Sequence, residues 1–320
     1  MDLSRYASAL IVKPSSLGDI VHTLPAVHAL KQAQPQLRLR WIAKPEWLPL
    51  ISGSPDVDEV LPYPQKQLCS PFSFLQWAKE FRAQRWQDER ELILDFQGLL
   101  RSVIICIARG SRPVLGLSDA REGAAWFYDE TIAVDAQAHA VDRYLSLVRH
   151  LGIPTAEPQF RLPEGRLWGE ALPQQYIALH PYSRGKGKSL SPAVLQALCT
   201  ALAPNPVVLL GVSSEHSPVE GRHITDLIGR TDLAQLIWIM RQAWRIISVD
   251  SGPMHIAAAV NDHTLGIHTW SDPRKVGPYN PKAQVWKAGR ICHKEQLSTA
   301  ECLDTRAVTV DAVADIAAWV

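Results

Sequence analysis

The feature that most restricts how this chain can fold is an apolar run, a break of small residues and an amphipathic helix, first laid out in residues 9 to 30, ALIVKPSSLGDIVHTLPAVHAL. Ala9 to Val12 are apolar throughout, as a parallel strand buried on both faces must be. Pro14, Ser15, Ser16 and Gly18 then break the run. Beyond them Ile20, Val21, Leu24, Val27, His28 and Leu30 recur at spacings of three and four, which sets them on one side of a helix that can cover a sheet. Asp19 falls where strand, turn and helix opening meet. Open α/β sheets bind ligands outside the carboxyl ends of their strands, and the N–H groups of a helix start attract anions, so a carboxylate here faces a ligand crevice. On spacing alone Asp19 can equally be a helix N-cap.

The layout recurs. ELILDFQGLLRS repeats it with a polar turn at Asp95, Gln97 and Gly98, a second loop at the cleft edge. Between the two, residues 37 to 43 read as a strand, 55 to 64 as a third segment ending in prolines, and 71 to 86 as a helix with Lys79, Arg82 and Arg85 on its polar face. Residues 112 to 130 have no clear period, while 139 to 152 are helical. Residues 153 to 175 carry Pro154, Pro158, Pro163 and Pro173 among Gly and Glu, as a linker between domains does. The pattern then restarts with a strand at Tyr176 to His180, a loop of Ser, Gly and basic groups, and a helix from about Ser191 with Pro192 at its first position. VVLLG follows as a strand, and RIISVDSGPMHIAAAV is the clearest strand–turn–helix of the second half. Pro253 there opens a helix whose free N–H groups suit a diphosphate. Asp250 alone reads as an N-cap or strand-end residue, and His255 as an ordinary first-turn histidine. A chain of 320 residues is at the size where one core divides, so the expected organisation is α/β, two Rossmann-like domains facing a central cleft.

Several function classes are disfavoured. A formal net charge of +1 gives no overall case for nucleic acid. No charged segment leads into an apolar signal region, and no apolar run approaches the ~20 residues of a transmembrane helix, so a cytoplasmic protein is expected. The five cysteines form no C-x-x-C, and Cys292, His293 and Cys302 lack the matched second pair of a structural zinc site. Asp56 and Asp58 in DVDEV form a D-x-D string, read here as solvated surface because it lies among turn residues of the first half. Eleven tryptophans suit sugar sites, interfaces or core.

The string SSLGDIVHTLPA resembles the opening of the lipopolysaccharide heptosyltransferases, glycosyltransferase family nine, and within them the heptosyltransferase I branch. The segments 112 to 130 and 139 to 152, DSGPMHIAAA and HTWSDPRKVGPY resemble the same family, so the likeness covers nearly the whole chain. It implies the GT-B fold, with an acceptor domain over 1 to 155, a linker over 156 to 175, a nucleotide-sugar domain over 176 to 306, and a final helix over 307 to 320 returning to the first domain. It makes Asp19 the catalytic base, with Ser15, Ser16 and Gly18 shaping the acceptor loop. Arg121, His139 and Arg143 become acceptor contacts, the arginines suited by a planar fork that pairs carboxylate or phosphate. Surface ion pairs with Asp119, Glu122 or Asp142 are the competing role for those arginines. On the donor side it implies Ser183, Lys188, Glu215, Thr231, Asp250, Ser251, Gly252 and His255, although Arg184 and Lys186 flank Lys188 and compete for the phosphates.

The resemblance implies transfer of heptose from ADP-heptose to a lipid A-linked Kdo acceptor. Asp19 would take the acceptor proton, and Lys188 would stabilise the leaving ADP, with inversion and without metal or cofactor. A UDP-sugar transferase or epimerase on the same scaffold, or a non-catalytic sugar-binding relative, is the alternative. A membrane-anchored acceptor further implies weak peripheral contact with the inner face of the cytoplasmic membrane. The expected surface is Lys66, Lys79, Arg82 and Arg85, with Phe72, Phe74, Trp77 and Trp86 as anchors.

Overall fold

The computed structural model describes residues 2–68, 70–84, 90–155, 157–212 and 219–320, and the chain divides into two compact units, Met1–Pro163 and Glu164–Val320. Arg85, Trp86 and Glu215, on which three expectations rest, lie outside the described residues.

Unit 1 runs β1 (Ser8–Val12), α1 (Leu17–Ala33), β2 (Arg38–Ala43), β3 (Glu59–Pro62), α2 (Pro71–Ala83), β4 (Glu91–Asp95), α3 (Leu100–Arg109), β5 (Val114–Leu117), β6 (Glu130–Ile132) and α4 (Ala140–His150). Its sheet is parallel, in the order β3-β2-β1-β4-β5-β6. β1 and β4 are buried along their whole length, which explains the apolar runs Ala9–Val12 and Leu92–Leu94 within them. α1 and α4 pack together, while α2 and α3 share a separate core cluster with Leu10, Val12, Ile42 and Ile93 of the strands. Residues 112 to 130 resolve into β5, a 3-10 turn at Ala124–Phe127 and the start of β6, pieces too short to show a period.

Unit 2 runs β7 (Ile177–His180), α5 (Pro192–Leu202), β8 (Val207–Leu209), β9 (Ile224–Asp226), α6 (Leu233–Gln242), β10 (Arg245–Val249), α7 (Gly252–Val260), β11 (Thr264–Ile267), α8 (Pro273–Val276), β12 (Gln284–Lys287), β13 (Arg290–Cys292), α9 (Thr299–Leu303) and α10 (Val313–Ala318). The sheet order is β13-β12-β11-β10-β7-β8-β9, parallel except for the β12–β13 edge. Numbered within its own unit, the parallel part repeats the third-second-first-fourth-fifth-sixth order of unit 1. That order places a topological switch between the first and fourth strands, the crevice where Rossmann sheets bind ligands.

The boundary between the units falls within the proline-rich segment, whose two sides are bonded into their own units: Ser54 Oγ donates to Arg161 O at 3.0 Å in unit 1, and Arg166 N donates to Ala234 O at 2.9 Å in unit 2. Three expectations need correction. The last helix stays with unit 2, burying Val313 and Ile316 against α5 instead of returning to the first domain. Phe74 and Trp77 are not surface anchors, because they pack on the α2–α3 core, Trp77 stacked on Phe81 at 4.9 Å. The D-x-D string is solvated only in its second half: Asp56 is buried and pairs with His28 at 3.0 Å, while exposed Asp58 bonds Lys31 at 2.8 Å and the Leu39 N–H at 2.7 Å.

Candidate active site

In unit 1 the loops after β1, β4 and β5 converge at the switch point. Ser16 caps α1, and Asp19 sits three residues inside, its Oδ2 accepting from the Ser16 N–H at 3.0 Å and the Ser16 Oγ–H at 2.6 Å. Asp19 is therefore the returning partner of a capping box and not the N-cap itself. The Ser15 N–H donates to Gln97 Oε1 at 3.2 Å, which ties this loop to the one after β4. Asp95 is fully buried, and burial pushes its carboxyl above the usual range even though it accepts from the Gln97 N–H, the Gly98 N–H, Ser102 and Tyr128. Gly98 has a positive φ, and a Cβ there would meet Ala120 at 3.3 Å, so only glycine lets the loop after β5 come this close. The Arg121 N–H closes that contact by donating to Gly98 O at 2.8 Å.

The expected acceptor residues divide. His139 is buried and accepts the Val141 N–H at 3.2 Å as the cap of α4, with its ring 5.2 Å from that of His22, one turn beyond Asp19. Arg143, one turn further along α4, is paired with Asp119. Arg121 presents its side chain to solvent. Sequence reasoning passed over Lys13. It is buried at the end of β1, donating to Phe96 O and to the Tyr144 hydroxyl, both at 2.7 Å, and so ties β1, β4 and α4 together behind the Asp19 loop. A lysine closing an otherwise apolar run was the available signal.

In unit 2 the turns after β7, β10 and β11 meet in the same way. Lys188 Nζ lies 2.5 Å from Asp250 Oδ2, and Ser271 Oγ donates to the same oxygen at 2.5 Å. Ser183 Oγ donates to Asp250 O at 3.0 Å. Arg184 and Lys186 are exposed, so the structure singles out Lys188 as the cation directed into the turn. Gly185 permits this, since a Cβ there would meet the Lys188 side chain at 2.8 Å. Ser271 has one proton and gives it to the carboxylate, so the 2.9 Å contact from His268 Nδ1 must be a donated N–H. Burial holds His268 neutral, down to about 4. Burial also opposes ionisation of Asp250, yet Lys188 and Ser271 hold its carboxyl below the usual range.

Behind the turn, Lys287 is buried and donates to Ser271 O at 3.0 Å, its own value lowered by burial. Ser251 caps α7, whose first residue is Gly252, and its hydroxyl lies 3.5 Å from His180, a histidine that burial also holds down to about 4. His255 is buried in the first turn of α7. Thr231 is not brought to this group: it follows β9, on the far side of β7 and β8 from Asp250. His268 and Ser271 were missed because they act from the segment after β11, where the sequence motif assigned no role, and Lys287 because it closes β12, outside any motif. Among the described residues no cluster of His, Cys, Asp and Glu could hold a metal, and Cys292 and Cys302 are buried with Val285 and Leu297.

A sequence model described as Glycosyltransferase family 9 (heptosyltransferase) matches residues 78–304. The chain is 24% identical over 296 residues to the lipopolysaccharide core heptosyltransferase OpsX of Haemophilus influenzae, covering 85% of this chain and 82% of the relative. It is 27% identical over 293 residues to lipopolysaccharide heptosyltransferase 1 of Pseudomonas aeruginosa, covering 86% and 82%. The structure of E. coli heptosyltransferase WaaC with ADP superposes with a TM-score of 0.75 at 22% identity, over 96% of this chain and 97% of that one. That likeness establishes the fold, GT-B with two Rossmann-like units.

Proposed function

The chain belongs to glycosyltransferase family 9, and from that premise we propose that it transfers heptose from ADP-heptose to the Kdo-lipid A inner core of lipopolysaccharide, with inversion at the anomeric carbon. The observation that carries the donor half is the Lys188 ammonium held 2.5 Å from Asp250 at the opening of α7. A diphosphate laid there meets a cation and the free N–H groups of a helix start, both of which gain strength as charge develops on the leaving ADP. In unit 1 Asp19 is the base, its carboxylate already aimed by two bonds from Ser16. It takes the proton of the attacking acceptor hydroxyl. Ser15, Gly18 and His139 shape that loop, and Arg121 is the guanidinium available to an anionic inner-core sugar. Arg143 reaches the acceptor only by exchanging Asp119 for it. The scheme asks the protein's own cations to neutralise the diphosphate and routes no step through a metal.

The acceptor carries acyl chains, so the enzyme must work against the inner face of the cytoplasmic membrane. No helix among the described residues is long and apolar enough to cross it. Weak peripheral contact is supported by one layer of unit 1. Phe72 and Leu75 of α2, Leu100, Ile104 and Ile107 of α3, and Trp126 and Phe127 beyond it are exposed, Trp126 by 88%. They are more than half of the large apolar side chains exposed among the described residues. Arg101 and Lys79 stand among them as cations for anionic headgroups.

The test is a donor screen. The full chain is incubated with Kdo-lipid A and either ADP-heptose or UDP-sugars, and nucleotide release is followed. Release of ADP that requires both substrates is expected. UDP release, or nucleotide release indifferent to acceptor, would overturn the assignment.

A further inference from the structure

Within the turn after β11, Trp270 departs from its neighbours. His268 is fully buried and Thr269 nearly so, whereas the Trp270 side chain is 49% exposed. Its backbone is nevertheless fixed from both sides. Thr269 Oγ donates to Gly187 O at 3.1 Å, and Ser271 Oγ donates to Asp250 Oδ2 at 2.5 Å. Trp270 is thus held on the rim between the Lys188 loop and the Asp250 turn. Its ring centroid lies 5.0 Å from Lys188 Nζ, the same ammonium that bonds Asp250. A tryptophan normally buries most of its large apolar body, and here half of it stays in water beside the group that would hold a phosphate.

We propose that Trp270 is a specificity-determining residue of the donor site, its indole carrying the sugar ring of a nucleotide sugar whose diphosphate is bound by Lys188. The inference rests on the donor role proposed for this unit and adds the residue that distinguishes the nucleotide sugar from the nucleotide alone. A glycosyl ring is attached directly to the terminal phosphate, so it lies within reach of an aromatic face next to the phosphate's cation. The base is separated from the phosphates by the ribose. A pyranose presents a face of C–H groups, and these pack on the electron-rich face of an indole. ADP lacks that ring, so Trp270 contributes to binding of the sugar nucleotide and little to binding of ADP.

Calorimetric titration of the full chain with ADP and with ADP-heptose tests this. Trp270→Ala is expected to weaken ADP-heptose by about five- to tenfold and ADP by less than about twofold, while Trp270→Phe keeps most of the sugar-nucleotide affinity because a phenyl ring still stacks. Retained ADP binding also shows that the variant is folded. An ADP-heptose to ADP affinity ratio that is the same in wild type and Trp270→Ala overturns the inference alone, as does a Trp270→Phe variant no better than Trp270→Ala. A wild-type chain that binds neither ligand overturns the donor role of the unit and the inference with it.

Discussion

Lys188→Ala removes the cation that faces Asp250. The two side chains are 20% and 7% exposed and 2.5 Å apart, so an arriving diphosphate has to share Lys188 with Asp250. The loss on substitution has two parts. The charge-assisted contact to the phosphate is worth about 1.5–3 kcal/mol. The second part is repulsion, because Asp250 stays ionised and now stands uncompensated beside an anion. At an effective dielectric near 20, a like charge several ångströms away costs about 1–3 kcal/mol. Together these predict roughly a 10²–10⁴-fold rise in the Kd for ADP, measured by calorimetry, with turnover falling at least as far. Adding Asp250→Asn removes only the repulsive part, so Lys188→Ala/Asp250→Asn should recover about tenfold of the lost affinity. The reasoning is refuted if Lys188→Ala binds ADP within about threefold of wild type, or if the double variant binds no better than the single one. A comparable loss in Lys186→Ala would move the phosphate contact to the exposed cation.

Asp19→Asn keeps a side chain able to approach Ser16 but cannot accept a proton, so it should lower turnover by ~10²–10⁴-fold while melting temperature and ADP affinity stay near wild type. Asp19→Ala should lose the same activity and also about 0.5–2 kcal/mol of stability in denaturant unfolding, because the capping box goes with it. His180 and His268 are held to about 4 against an ordinary 6.5, so the unfolded chain binds protons that the fold refuses. Their contribution is complete above the unfolded value and is lost as pH falls from 6.5 toward 4, so urea midpoints of unit 2 should drop across that window and stay flat above it. Ile104→Ser, Ile107→Ser and Trp126→Ser together should cut sedimentation with anionic vesicles by more than about tenfold, since each apolar side chain buried is worth ~1.5–3 kcal/mol. Unchanged sedimentation would remove the α2–α3 layer as the membrane face.

The strand–turn–helix units were legible because each is local: an apolar run, a small-residue break and a spacing of three and four are read within about twenty residues. Asp19 and Asp250 stood out for the same reason, since each occupies the break. What periodicity does not show is which breaks become neighbours. That depends on strand order, and in both units the order sets the first strand between the second and the fourth, with the fifth beyond the fourth. In unit 2, β10 pairs with β7 on one side and β11 on the other, so the turns carrying Lys188, Asp250 and Ser271 become contiguous although 83 residues separate the first from the last. The HTWSDPRKVGPY string was recognised as a motif but given no chemistry, because nothing local to it says that Ser271 bonds Asp250 or that Trp270 faces Lys188. Unit 1 repeats the lesson. Its Ser15–Gln97 and Gly98–Arg121 contacts join the turns after β1, β4 and β5, the equivalents of the turns after β7, β10 and β11. A chain that presents the same motif twice therefore nominates, in each half, the polar residues that follow the fifth strand as partners of the first and fourth. Arg121 and Ser271 occupy those places, and only Arg121 had been singled out.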